Sequence, residues 1–137
     1  MEKEKIIVKV HDYYWNRDLN CATTMLKILA ENYNIKLNRQ IIDAAIGMHG
    51  AGKYRAQCGL IEGMLMFTGI YGKVKNYSEC DIVDVCFNLA QKFEKQFESL
   101  LCKDLRPEGF RDDNPPHLCE NLTVEAVNFA MTFMDKF

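Results

Sequence analysis

Residues Gly59 to Tyr71 read GLIEGMLMFTGIY. Wound as a helix, this stretch places Leu60, Ile61, Met64, Leu65, Met66, Phe67 and Ile70 on nearly every side, with Glu62 the only charge. A helix apolar all round must be covered by neighbours. It is well short of the roughly 20 residues that span a bilayer, so the expected place for it is the centre of a protein core. Every other periodic stretch of the chain has a single apolar stripe at 3.6-residue spacing, and none alternates as a strand would. The expected fold is therefore all-α, a compact single-domain bundle of about six helices over residues 1–137, with the central one running from about Arg55 to Tyr71.

The remaining helices follow from stripes and caps. The first spans about Glu4 to Trp15 and turns Ile6, Ile7, Val10, Tyr13 and Tyr14 inward. The second starts near Leu19, where Asp18 or Asn20 can cap it, and carries Ala22, Met25, Leu26, Leu29 and Tyr33 on one face. Asn38 caps a short helix, RQIIDAAI, that ends at Gly47. Ser78 opens a capping box with Asp81 at the third position. The helix behind it reaches about Ser99 with Ile82, Cys86, Leu89, Phe93 and Phe97 on its stripe. An irregular segment from Leu100 to Asn121 holds all three prolines, and a last helix from about Thr123 to Met134 faces Val124, Val127, Met131 and Met134 to the core.

Charge narrows the function. The net charge is −2 with both signs spread along the chain. No basic stripe points to nucleic acid. The first fifteen residues hold no apolar run of the length a secretory leader uses, and no stretch is long enough to insert in a membrane. The expected location is the cytoplasm.

The segment Gly47–Lys53, GMHGAGK, matches the phosphate-loop spacing G-x-x-x-x-G-K. That loop needs a buried strand before it and Ser or Thr after the lysine to hold magnesium. Here a helical pattern precedes it and Tyr54 follows the lysine, so the match is read as accidental. The glycines are expected to form a loop that approaches Cys58. Gly59 and Gly63, four apart, give a face on which another backbone can pack closely. Each costs about 1 kcal/mol in a helix interior relative to alanine, which suggests a packing or site requirement there.

Six cysteines (21, 58, 80, 86, 102 and 119) are many for a chain of this length in a reducing compartment. There they point to metal binding or redox chemistry rather than to a disulfide scaffold. Cys21 and Cys58 fall at expected helix starts, where the helix dipole favours a thiolate. Lys53 and Arg55 precede Cys58 and would favour its anion further. Glu62 lies one turn beyond Cys58, placed either to exchange a proton with sulfur or to pair with a lysine. Cys102 and Cys119 lie in or beside the irregular segment, and His117 stands two residues before Cys119. His49 lies inside the glycine loop. Cys86 reads as core packing and Cys80 as peripheral.

LNCATTML, GMHGAGKYRAQCGLIEGMLMFTGIYG, the LC at Leu101–Cys102, and HLCENLTVEAVNFA together resemble the C_GCAxxG_C_C family of redox-active proteins, over about Asn20 to Ala130. The resemblance aligns the first family cysteine with Cys21, the CGAxxG motif with Cys58–Gly63, and the last two cysteines with Cys102 and Cys119. Leu60 departs from the usual alanine. Cys80 and Cys86 have no counterpart.

Three functions compete at this point. The leading one is a thiol redox protein, a thiol oxidoreductase if it is an enzyme, in which Cys21, Cys58, Cys102 and Cys119 form one cluster and Cys58 or Cys21 attacks first, with Glu62 assisting. The second uses the same four sulfurs, with His49 or His117 as substitutes, to bind zinc or an iron–sulfur cluster. The third is a helical interaction module with buried cysteines. Expected partners are a redox partner or small-molecule ligand, with an anion above Cys58 and a homo-oligomer both compatible with the sequence.

Overall fold

A computed structural model describes residues 1–137, and it is all-helical. Eight helices form in chain order: α1 Lys3–His11, α2 Cys21–Asn32, α3 Arg39–Ala44, α4 Gly50–Lys53, α5 Gly59–Val74, α6 Glu79–Phe97, α7 Cys102–Leu105 and α8 Glu120–Met134. A single π turn, Asp12–Asn16, continues α1. The two helices absent from the sequence reading, α4 and α7, are four-residue turns too short for periodicity to reveal.

The caps behave as their chemistry requires. The Asn20 side chain accepts from the Thr23 N–H, Asn38 from Ile41, and Ser78 from Asp81. Asn20, not Asp18, therefore opens α2, which begins at Cys21 rather than near Leu19. On α1, Ile6, Val10, Tyr13 and Tyr14 are buried, whereas Ile7 faces out and is 48 % exposed. Cys86 is only half-buried at the margin of the α6 stripe.

α5 is the central helix. It lies along α2, touches α6 and α8, and α1 closes the bundle against α8. Leu60, Ile61, Met64 and Phe67 of α5 are fully buried, in one core with Met25, Leu26 and Leu29 of α2 and Val127, Ala130 and Met134 of α8. The Tyr33 hydroxyl donates to the Met131 carbonyl at 3.0 Å and to Asp135 at 2.7 Å, tying the end of α2 to α8.

The α2–α5 crossing depends on two glycines. A Cβ at Gly63 would lie 2.6 Å from the Ala22 carbonyl oxygen and 3.0 Å from Met25 Cβ. One at Gly59 would lie 2.9 Å from Cys21 Sγ and 3.0 Å from the Met48 carbonyl oxygen. Gly63→Ala should therefore destabilise the protein by about 1–3 kcal/mol, the usual range for overpacking, despite alanine's better helix propensity. Urea denaturation of the two proteins measures this, and an unchanged midpoint would show that the helices separate freely.

The central helix starts four residues later than its apolar pattern suggests. Ala56–Cys58 is extended, not helical, because it pairs with Leu100–Cys102. The Cys58 N–H donates to Leu100 O at 2.8 Å and the Cys102 N–H to Ala56 O at 2.7 Å, about an antiparallel bridge between Gln57 and Leu101. On the other edge, the Gly50 N–H donates to Gln57 O and the Ala56 N–H to Gly50 O. These long-range bonds override a local helical tendency.

Candidate functional site

All four family-pattern cysteines sit at the start of a helix. Cys21 is the first residue of α2, Cys58 the residue before α5, Cys102 the first residue of the α7 turn and Cys119 the residue before α8. The sequence reading had two at helix starts and two in a loop. The four starts converge. Charge on Cys58, Cys119 and Cys102 acts on the Cys21 thiol, charge on Cys102 and Cys119 acts on Cys58, and charge on Cys102 acts on Cys119. Cys80 is exposed, and the Cys86 thiol is raised by burial alone. All six cysteines are free thiols.

Backbone pairing fixes the Cys58–Cys102 relation. In an antiparallel ladder, residues on either side of a bridging pair point to the opposite face from that pair. Cys58 and Cys102 therefore share one face, as diagonal neighbours across the Gln57–Leu101 bridge. The glycine loop lies under this ladder. Gly50, at φ +69°, brings its Cα beneath Cys102, and a Cβ there would touch Cys102 Cβ and the Arg55 backbone at 3.4 Å. Gly50, Ala51, Gly52 and Lys53 all have φ between +55° and +69°. The segment is thus one left-handed turn, a conformation that costs roughly 1–2 kcal/mol at each non-glycine residue. Nothing in it resembles a strand-to-helix phosphate loop.

Burial governs the thiols. It pushes Cys58 up to about 12 from an ordinary value near 9, although the Leu60 and Ile61 N–H groups oppose it. Those amides form no side-chain cap bond with Cys58; their influence is that of nearby dipoles. Cys21, whose sulfur packs on Gly59, is raised further by burial and then by the other sulfurs. Cys119 and Cys102 are also raised by burial. The sequence expectation of a thiolate stabilised at Cys58 or Cys21 is thus corrected, because desolvation outweighs the helix starts in the reduced protein. The cations sit elsewhere: Arg106 and then Arg55 act against burial at Cys102, and Arg106 does so at Cys119.

Aromatic residues from the end of α1 hold the Cys119 corner. The Tyr14 hydroxyl and Thr123 Oγ1 are 2.6 Å apart, and Thr123 Oγ1 donates to the Cys119 carbonyl at 2.8 Å. His11 Nδ1 and Trp15 Nε1 both reach Glu120, at 2.7 and 3.1 Å. His117 stacks on Tyr14 with ring centres 5.0 Å apart, and its Nε2 lies 3.2 Å from Asp18. Tyr14 itself is buried beside the sulfurs, its phenol pushed up by burial and then by Cys21.

The remaining candidates fall into place around the cluster. Glu62 accepts from the Gln57 side-chain amide rather than pairing with a lysine, and burial raises its pKa. His49 is half-buried in the glycine loop, and burial followed by Lys53 lowers its pKa. No three His, Cys, Asp or Glu side chains are arranged to hold a metal ion. His117 is committed to Tyr14 and Asp18. The four sulfurs, with His49 or His117, thus do not form a coordination site in this arrangement.

A family whose description reads "Putative redox-active protein (C_GCAxxG_C_C)" matches residues 19–133, which takes in all four clustered cysteines. The chain belongs to the C_GCAxxG_C_C family. No curated protein and no solved structure matches it significantly. In this C_GCAxxG_C_C protein, the second half of the motif explains itself physically: Gly59 makes room for Cys21 Sγ and Gly63 for the α2 backbone. Leu60, where the family usually has alanine, is fully buried and points into the core. Sequence reasoning missed Tyr14 as a neighbour of the site, and it missed Arg106. The second had a readable signal, since Arg106 follows Cys102 by four residues, the spacing of facing groups on a helical turn.

Proposed function

We propose that this redox-active family member is a cytoplasmic thiol–disulfide exchange protein in which Cys102 attacks, Cys58 resolves, and Cys21 and Cys119 complete the cluster. The observation that carries this reading is the ladder that sets Cys58 and Cys102 on one face. Cys102 takes the first role because it is only half-buried and is the thiol on which both guanidinium groups act. This order replaces the one expected from sequence.

The chemistry balances with a disulfide as oxidant. The Cys102 thiolate attacks one sulfur of the incoming disulfide, whose S–S bond breaks and releases one half as a thiolate. The Cys58 thiolate then attacks Cys102 Sγ, forming the internal disulfide and releasing the second half. The protein sulfurs lose two electrons, the partner's sulfurs gain them, and the two thiol protons pass to the released thiolates. Diagonal ladder neighbours have Cα atoms about 7–8 Å apart, slightly beyond the 4.4–6.8 Å of a disulfide. Closing the bond therefore requires the paired segments to shift by about an ångström.

Free thiols counted after treatment with one equivalent of a small disulfide test the proposal. The expected loss is two thiols per chain, both recovered with dithiothreitol, while Cys80 and Cys86 stay alkylatable. Retention of all six free thiols would remove thiol–disulfide cycling as the function.

A further inference from the structure

Of the five arginines, Arg17, Arg39 and Arg111 pair with Asp12, Asp43 and Asp113. Arg55 and Arg106 pair with no carboxylate, and they are the two beside Cys102. The Arg55 backbone and Cys102 Cβ close on the same point of Gly50. The Arg106 N–H donates to the Cys102 carbonyl at 3.1 Å. Both guanidinium groups rest on the Phe110 ring, at 4.3 and 4.5 Å from its centre. The Arg106 Nε is shielded from solvent and meets no acceptor. A buried donor without a partner is costly, and planar guanidinium groups fixed on an aromatic ring suit bidentate recognition of carboxylates. Arg55 also holds a left-handed backbone, φ +72°, which brings it to this position.

We propose that Arg55 and Arg106, seated on Phe110, form an anion-binding mouth beside Cys102 that selects low-molecular-weight disulfides carrying carboxylates. The inference rests on the thiol–disulfide reading and names its substrate class. The carboxylate lies against the two guanidinium groups, and the adjacent S–S bond meets Cys102 Sγ. The bond made is then Cys102–S, and the bond broken is the substrate's own disulfide, as balanced above. The sequence is compatible with an anion above Cys58; Arg55 and Arg106, both on Phe110, put the anion site beside Cys102 instead.

Two assays on the reduced full chain separate this inference from the reading beneath it. The first compares rates with 3,3′-dithiodipropionate, bis(2-hydroxyethyl) disulfide and cystamine, which are anionic, neutral and cationic. The second compares alkylation of Cys102 by iodoacetate and by iodoacetamide, read by mass spectrometry. The anionic-to-cationic rate ratio should fall about tenfold in Arg55→Gln/Arg106→Gln, as should the iodoacetate-to-iodoacetamide ratio, and raised salt should shrink both in the wild type. Arg106→Lys should recover part of each. Arg111→Gln, whose arginine is already ion-paired, should change neither. Equal rates with all three disulfides and no iodoacetate preference would overturn the mouth while leaving thiol exchange standing. An iodoacetate preference that the arginine variants lose, with no disulfide reduced, would keep the anion site and overturn thiol exchange. Loss of both would overturn both.

Discussion

Cys102→Ser is expected to lower the rate of small-disulfide reduction by about a hundredfold or more, because a serine hydroxyl at neutral pH cannot replace a thiolate as nucleophile. Cys58→Ser should behave differently. Its Cys102 still attacks, but nothing resolves the product across the ladder, so the substrate half remains bonded to Cys102. Mass spectrometry of that variant should show one adduct per chain at Cys102 and release of only one equivalent of thiol. Cys80→Ser, at an exposed position near the start of α6, should match the wild type. If Cys102→Ser reduces disulfides normally and Cys58→Ser does not, the two roles are reversed, and the helix-start argument at Cys58 outweighs its burial.

The second large effect is on stability at alkaline pH. Cys58 is 5 % exposed and its thiol is pushed up to about 12 from near 9. Cys21 is raised as well, also by burial first. A thiol whose folded pKa lies above its unfolded value binds its proton more tightly in the native state. Its contribution is fully present below the unfolded value near 9 and is lost as pH climbs toward the folded one. At 1.36 kcal/mol per unit, Cys58 alone should remove on the order of 4 kcal/mol by pH 12. Tyr14, also raised by burial, acts in the same direction above pH 10. Urea melts of the reduced protein at pH 7, 9 and 11 should show the decline. The oxidised protein, in which Cys58 carries no proton, should decline less. A reduced protein equally stable at pH 7 and 11 would mean that the sulfurs are far more solvated than their packing implies.

Periodicity and capping chemistry carried most of the fold. The apolar ring on Leu60–Ile70 predicted the central helix, and Asn38 and Ser78 marked helix starts that the structure keeps. Local rules misplaced the start of α5, because residues 56–58 were claimed by Leu100–Cys102, more than forty positions away. No local window contains that pairing. The same long-range ladder decides which cysteine faces which, so spacing alone could not rank Cys102 against Cys119 as a partner for Cys58. Residue Ile7 shows a smaller limit: it is as apolar as Ile6, yet Ile6 is buried in the core and Ile7 faces solvent.

The site was legible in its members and not in its electrostatics. Helix starts at Cys21 and Cys58 suggested lowered thiol pKa values, yet burial raises all four sulfurs. Arg55 looked like a neighbour of Cys58 because it lies three positions before it. Its left-handed backbone and the Phe110 contact instead bring it to Cys102. The glycines proved easier, since Gly50, Gly59 and Gly63 each lie where a Cβ would press on a cysteine or on the helix behind it.

Peptide mapping of the mildly oxidised protein, alkylated before digestion and without reduction, decides whether Cys58 and Cys102 are redox partners across the ladder. The expected main product is a Cys58–Cys102 crosslinked peptide, with Cys80 and Cys86 alkylated. A main product joining any other pair, or no internal crosslink, would contradict that partnership.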